Sequence, residues 1–285
     1  MDLKQVVILV LQASILLTVF SLGLKTTMSD LTSLLHRRGL LYRSLFAVFI
    51  VMPIVAVLLA RLFEFRRVVE IALVALAISP MPPVLPRKEI KAGGATSYAL
   101  GLMTVLAVLA VVFVPLALLL LQAIFGGELS MPPGSVARVV LISTLVPLAA
   151  GVAVRAALPQ VVRAIEKPVA MVATVLLALG AVVLLIATAR AQWALVGNGT
   201  LLAMITFVAI GLAVGHVLGG PDPDHSVVLA LSTACRHPGI GLSIAARNFP
   251  DEHFAGAILL YVIVGTIVTV PYLSLVRRMK PAVAH

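Results

Sequence analysis

The chain reads as an all-α polytopic membrane protein with nine transmembrane helices, two of them broken and related by an inverted repeat. Three observations carry this. Hydrophobic residues make up 61% of the 285 positions and charged residues only 11%, with a mean hydropathy of +1.16, whereas soluble domains carry about 25% charged residues. Apolar stretches of about 20 residues, the length of a spanning helix, recur from end to end. Two of those stretches are interrupted by proline, at Ser79-Pro80-Met81-Pro82-Pro83-Val84-Leu85-Pro86 and at Ser232-Thr233-Ala234-Cys235-Arg236-His237-Pro238-Gly239. The runs are continuous rather than alternating, which argues against a β-barrel. No stretch has the length and polarity of a soluble domain, so residues 1–285 read as a single transmembrane domain.

The first segment, 5–26, reads as a retained helix. Only Lys4 and an acid precede it, and no small-x-small cleavage site follows before Lys25. Asp30 to Arg38 reads as a short amphipathic helix at the interface. The second segment spans 40–62 and the third, broken, 67–86. The fourth, 94–124, runs into the turn Gly126-Gly127-Glu128, and Pro132-Pro133-Gly134 leads into the fifth, 136–157. The sixth is 166–189. Gly197-Asn198-Gly199 marks the turn into the seventh, 196–219, and Gly219-Gly220-Pro221-Asp222-Pro223-Asp224 separates it from the eighth, broken, 226–247. The ninth is 255–276.

The net charge of +10 does not imply a nucleic-acid partner. In a membrane protein excess Lys and Arg marks cytoplasmic loops. Lys25, Arg37, Arg38, Arg43, Arg87, Lys88 and Lys91 fall on one side, which predicts the N-terminus outside and the C-terminus inside; the cluster Arg61, Arg66 and Arg67 runs against the bias. The broken segments are five apart, so the second is inverted relative to the first. Pairing segments 1–4 with 6–9 makes an inverted repeat whose breaks meet near the midplane, the usual place of a transporter's site.

Proline removes a backbone donor and clashes with the carbonyl four residues back, so Pro80, Pro82, Pro83 and Pro86 exclude one continuous helix. An opened backbone is tolerated in hydrocarbon only where protein or a water-filled cavity satisfies it. Arg236 is a charge inside a membrane segment and needs partners. Three are open: freed carbonyls at the crossing, an anionic solute, or an acid from another loop such as Glu70 or Glu89. Its roles are correspondingly two, a fixed cation tying the broken helices together or a contact for substrate. His237 is either a proton-coupling group or a satisfied core histidine. Cys235, the single cysteine, excludes an internal disulfide and a multi-cysteine metal site and reads first as a packing residue. Ser79, Ser232 and Thr233 either ligate a solute or cap helix ends. Pro238 and Gly239 complete the second break. Ser97, Thr104, Thr266 and Thr269 are candidate lining residues, with helix packing as the plainer reading. His216 reads as structural. No GxSxG, HExxH or P-loop is present, so the chain is not expected to be an enzyme and needs no cofactor.

Ala77 through Pro83, Lys91-Ala92-Gly93-Gly94, Cys235 through Ile240, and Gly23-Leu24-Lys25-Thr26 followed by Asp30-Leu31 resemble the bile acid:sodium symporter family. The resemblance in layout covers nearly the whole chain, and its specific motifs cover the two breaks and the first loop. It implies the nine-helix form of that family in a bacterial inner membrane. A panel would comprise the segments near 5–26, 136–157 and 166–189, and a core those near 40–124 and 196–276. Small organic anions such as carboxylates would move by alternating access, usually coupled to sodium. The positions that match the family's sodium ligands are occupied here by Leu85, Pro86, Ser232 and Arg236, and a guanidinium repels Na⁺. The resemblance is therefore to the fold more than to the sodium site, leaving a sodium symporter with altered ligands or a uniporter, exchanger or proton-coupled carrier in which Arg236 replaces the cation. A non-transporting membrane receptor on the same fold is the alternative from another class.

Overall fold

The computed structural model of the protein describes residues 3–63, 66–125, 131–249 and 254–279. The turn expected at Gly126-Gly127-Glu128 lies outside them. Among the described residues every regular element is helical. In order these are α1 (Leu3–Gly23), α2 (Met28–His36), α3 (Arg38–Leu45), α4 (Met52–Leu62), α5 (Arg67–Ile78), α6 (Leu85–Lys91) and α7 (Thr96–Phe125). Then come α8 (Pro133–Val140), α9 (Val146–Ala157), α10 (Pro159–Trp193), α11 (Thr200–Gly219), α12 (Pro223–Ala234), α13 (Pro238–Asn248) and α14 (Ala255–Met279).

Among the described residues, eight helices or helix pairs are long and apolar enough to cross a membrane. The expected third segment is not among them, because its halves α5 and α6, of 12 and 7 residues, are separated by the longer non-helical stretch 79–84. It also extends further than the sequence suggested. Apolarity fades at Pro86, but proline is tolerated in a helix's first turn, so α6 begins at Leu85 and carries Arg87, Lys88 and Glu89. The sixth segment is longer too, since α10 absorbs the stretch from Pro159 that precedes 166. The interfacial helix is α2, opened by a capping box in which Thr27 and Asp30 satisfy each other's backbone N–H groups.

α3 and α4 form one span joined by a π-helical turn at Phe46–Val51, and α8 and α9 are joined by another at Leu141–Leu145. Each turn ends just before a proline, Pro53 or Pro147. A π turn relieves the clash of the ring with the preceding carbonyl.

Without a hydrophobic drive between helices in lipid, close approach depends on small residues. α11 lies directly on α12 through Gly211, Gly215 and Gly219. A Cβ at these positions would come within 2.8 Å of Ala234 Cα, 2.5 Å of Ala230 Cα and 2.8 Å of Ser226 N, respectively. α1 packs on α9 and α10, and Gly23 and Gly151 allow the first contact, since a Cβ on Gly23 would lie 2.9 Å from Gly151 Cα. Large apolar side chains on the outer faces, including Val112, Ile186 and Val217, are exposed as lipid contact requires. The protein is an integral membrane protein.

Candidate functional site

The two breaks cross. His237 N–H donates to Pro80 O at 2.8 Å, joining residues 157 apart in sequence. Around this contact α5 packs on α13 and α6 on α12. Each first half therefore lies on the other break's second half, the reciprocal pattern that an inverted repeat requires. The C-terminal ends of α5 and α12 meet here, at Ser79 and Cys235.

Arg236 lies at that meeting point and is 1% exposed. Its Nη1 donates to Ser79 O at 3.3 Å and its Nη2 to Val48 O at 3.1 Å. Both carbonyls lack helical donors because of proline. The residues three and four beyond Ser79 are Pro82 and Pro83. Val48 sits in the π turn, where the residue five beyond it is Pro53, while Met52 N–H bonds to Ala47 O. A third case completes the pattern. Ala234 O, four residues before Pro238, accepts from the buried hydroxyl of Tyr261. Among the described residues no carboxylate pairs with Arg236. Its charge is met instead by carbonyl dipoles and by the negative ends of α5 and α12. Of the three partners open to it, these contacts are the freed carbonyls; Glu89 bonds elsewhere.

Glu89 is buried at 0% exposure on α6. Its Oε1 accepts from Ser232 Oγ at 2.6 Å, and Ser232 Oγ also lies 3.6 Å from Met81 Sδ. Glu89 Oε2, Thr233 Oγ1, Arg236 Nε and His237 Nε2 are buried without a partner. The sequence alone makes Glu89 a loop acid; α6's extension past Pro86 puts it in the broken helix.

Ser79 Oγ turns back to Leu76 O at 2.7 Å, as a helix-end hydroxyl does. His237 caps α13, its Nδ1 accepting from Ile240 N–H at 3.3 Å. Pro238 and Gly239 form the first turn of α13, and Cys235 is half-buried at the end of α12. Leu85 and Pro86 sit in the first turn of α6 and bring no side-chain oxygen. Pro80 and Pro82 lie in the non-helical stretch after α5, and Pro83 in the turn that leads into α6.

Of the lining candidates, Thr269 joins the site's surroundings by accepting from Lys88 Nζ at 2.6 Å. Thr104 and Thr266 bond to carbonyls one turn back, and the Ser97 carbonyl accepts from Ser33 of α2 at 3.3 Å. His216 pairs with Tyr272 at 2.9 Å. Lys88 and Arg87 escaped the sequence reading as site residues. Arg87 donates to Ala170 O of α10 at 3.3 Å, so α6 reaches from the crossing to both α10 and α14.

A family model described as the Sodium Bile acid symporter family matches residues 13–195. That stretch contains the first break, and the second, with Arg236, follows it. No curated protein matches the chain.

Proposed function

The chain belongs to the sodium bile acid symporter family, and on that premise we propose that it is a secondary transporter of a small carboxylate-type organic anion, working by alternating access without bound sodium. The observation that carries the sodium-free reading is Arg236. In transporters with broken helices, unwound carbonyls and half-helix C-terminal ends are what hold Na⁺. Here the carbonyl of Ser79 at such an end, and that of Val48 in the π turn, are taken by a guanidinium. Of the four matching positions, Leu85 and Pro86 add no side-chain oxygen, the Ser232 hydroxyl is bound to Glu89, and a sodium ion beside a permanent cation, Arg236, is repelled.

Arg236 is fully enclosed, so the solute's charge is met by another group. Lys88 is partly exposed and lies between α6 and α14, with no ion pair among the described residues. In this reading α1, α9 and α10 form the panel. The core carries the crossing, and the carboxylate binds between them near Lys88 and Thr269. The N-terminus lies outside and the C-terminus in the cytoplasm.

Proteoliposome flux with a panel of labelled carboxylates tests the proposal, with Na⁺ and pH gradients varied independently. We expect saturable uptake of at least one carboxylate, unchanged when Na⁺ is replaced by choline. Lys88→Gln is expected to raise KM roughly tenfold, the loss of one charge-assisted contact. Absence of flux for the whole panel refutes the transporter reading, and an absolute need for Na⁺ refutes the sodium-free one.

A further inference from the structure

The crossing holds a second buried ionisable group whose surroundings differ from those of Arg236. Glu89 is enclosed by α7 and α12, receives a single hydrogen bond from Ser232, and leaves Oε2 without a partner. None of the nearby charged and titratable groups pairs with Glu89 among the described residues. On its own helix, Lys88 directs Nζ to Thr269, and Arg87 reaches α10. Lys91 is exposed at the helix end. On α7, Tyr98 shares its hydroxyl with Ser44 at 2.8 Å. At the far end of α12, His225 contacts Asp222 and Arg37, with Asp224 beside them. Past the near end, Cys235 is a thiol and Arg236 is bound to carbonyls.

A carboxylate accepts up to about four hydrogen bonds, and an ionised one buried with one donor and no paired cation is costly enough to neutralise instead. A cation would be the other remedy. Yet Na⁺ needs several oxygens, and the buried unpartnered side-chain oxygens of the crossing, among the described residues, are Glu89 Oε2 and Thr233 Oγ1. We propose that Glu89 is a proton-binding site at the α6–α12 contact. In the closed arrangement seen here the carboxyl carries a proton and accepts from Ser232. When the crossing opens to water, the O–H bond of the carboxyl breaks, the proton passes to water, and the carboxylate left behind is solvated. Solute movement is thereby linked to proton movement. The linkage rests on the carrier reading above, whereas the proton site itself does not.

Infrared difference spectroscopy of the purified protein in nanodiscs tests the site with no solute present. We expect a protonated-carboxyl band at neutral pH that is lost in Glu89→Gln and shifted in Ser232→Ala, which removes the hydrogen bond and keeps the acid. A spectrum without such a band, or a band that persists in Glu89→Gln, overturns the proposal. So does displacement of the band by added NaCl, which would make the site a cation site. If Glu89→Gln does not fold, the Ser232→Ala shift decides alone. For the linkage, proteoliposomes loaded with a pH-sensitive dye receive a mixture of small carboxylates. We expect carboxylate-driven acidification or alkalinisation in the wild type and its loss in Glu89→Gln; equal signals from the two overturn the coupling. Total loss of carboxylate flux in the wild type would defeat the carrier reading and leave the infrared result standing.

Discussion

Arg236 is held by carbonyls that prolines left without donors, and this explains how a guanidinium persists at 1% exposure with no carboxylate partner. An unsatisfied backbone carbonyl in the membrane costs several kcal/mol, so the arginine offsets two such losses at once. The expected consequence is a ranking. Arg236→Met leaves both carbonyls unpaired and lowers the melting temperature of the purified protein most. Arg236→Lys keeps the charge but is a point donor rather than a fork, and falls between. A Met variant as stable as the wild type would show that the carbonyls find other donors. Hydrogen bonds to charged groups contribute about 1.5–3 kcal/mol each, so we expect a loss of roughly 3 kcal/mol or more for Met.

At the scale of elements, the broken helix α12–α13 is held against α11 by three glycines spaced four apart. Gly215 is the tightest, its Cβ direction blocked by the backbone of Leu229 and Ala230. Backbone cannot rotate aside as a side chain can, so Gly215→Ala must separate the helices. We expect a destabilisation of about 1–3 kcal/mol, the cost of overpacking, read as a drop in melting temperature. Gly265 on α14 is the control. The nearest atom to its Cβ position is Val208 Cγ2 at 3.9 Å, so Gly265→Ala is expected to be neutral or stabilising, because alanine is the better helix former. Equal effects at both positions would mean that the α11–α12 contact does not limit stability.

For the whole molecule, the proposed transport by alternating access requires the proposed panel to move against the core. Arg87 of α6 touches Ala170 of α10 across that proposed boundary, whereas Lys25 and Glu166, 2.9 Å apart, both lie within the proposed panel. In a Cys235→Ala background, a bifunctional thiol linker joining Arg87→Cys to Ala170→Cys is expected to stop flux. The same linker joining Lys25→Cys to Glu166→Cys is expected to leave it largely intact. Cleavage of the linker should restore flux to the first variant and change the second little. Flux that survives the first cross-link would place the moving boundary elsewhere.

Much of this architecture was legible in the sequence because its causes are local. Apolar length marked the spans, the prolines at 80–86 and at 238 marked the breaks, and the odd spacing of the broken segments marked their inverted relation. Each follows from what a residue does to its own backbone or to lipid. The extent of α6 was less legible, since Pro86 stands in a first turn where it interrupts nothing, and Glu89 was consequently read as a loop acid. The glycines of α11 are visible in the sequence, but their partner helix is not. The sequence by itself therefore determined the helical membrane class, the two breaks and the presence of one buried cation. Only the tertiary structure decided that Arg236 binds the carbonyls of Val48 and Ser79, and that Glu89 meets Ser232. Those contacts join residues 188, 157 and 143 positions apart, and hydrogen bonds over such separations depend on where the helices cross rather than on any local pattern.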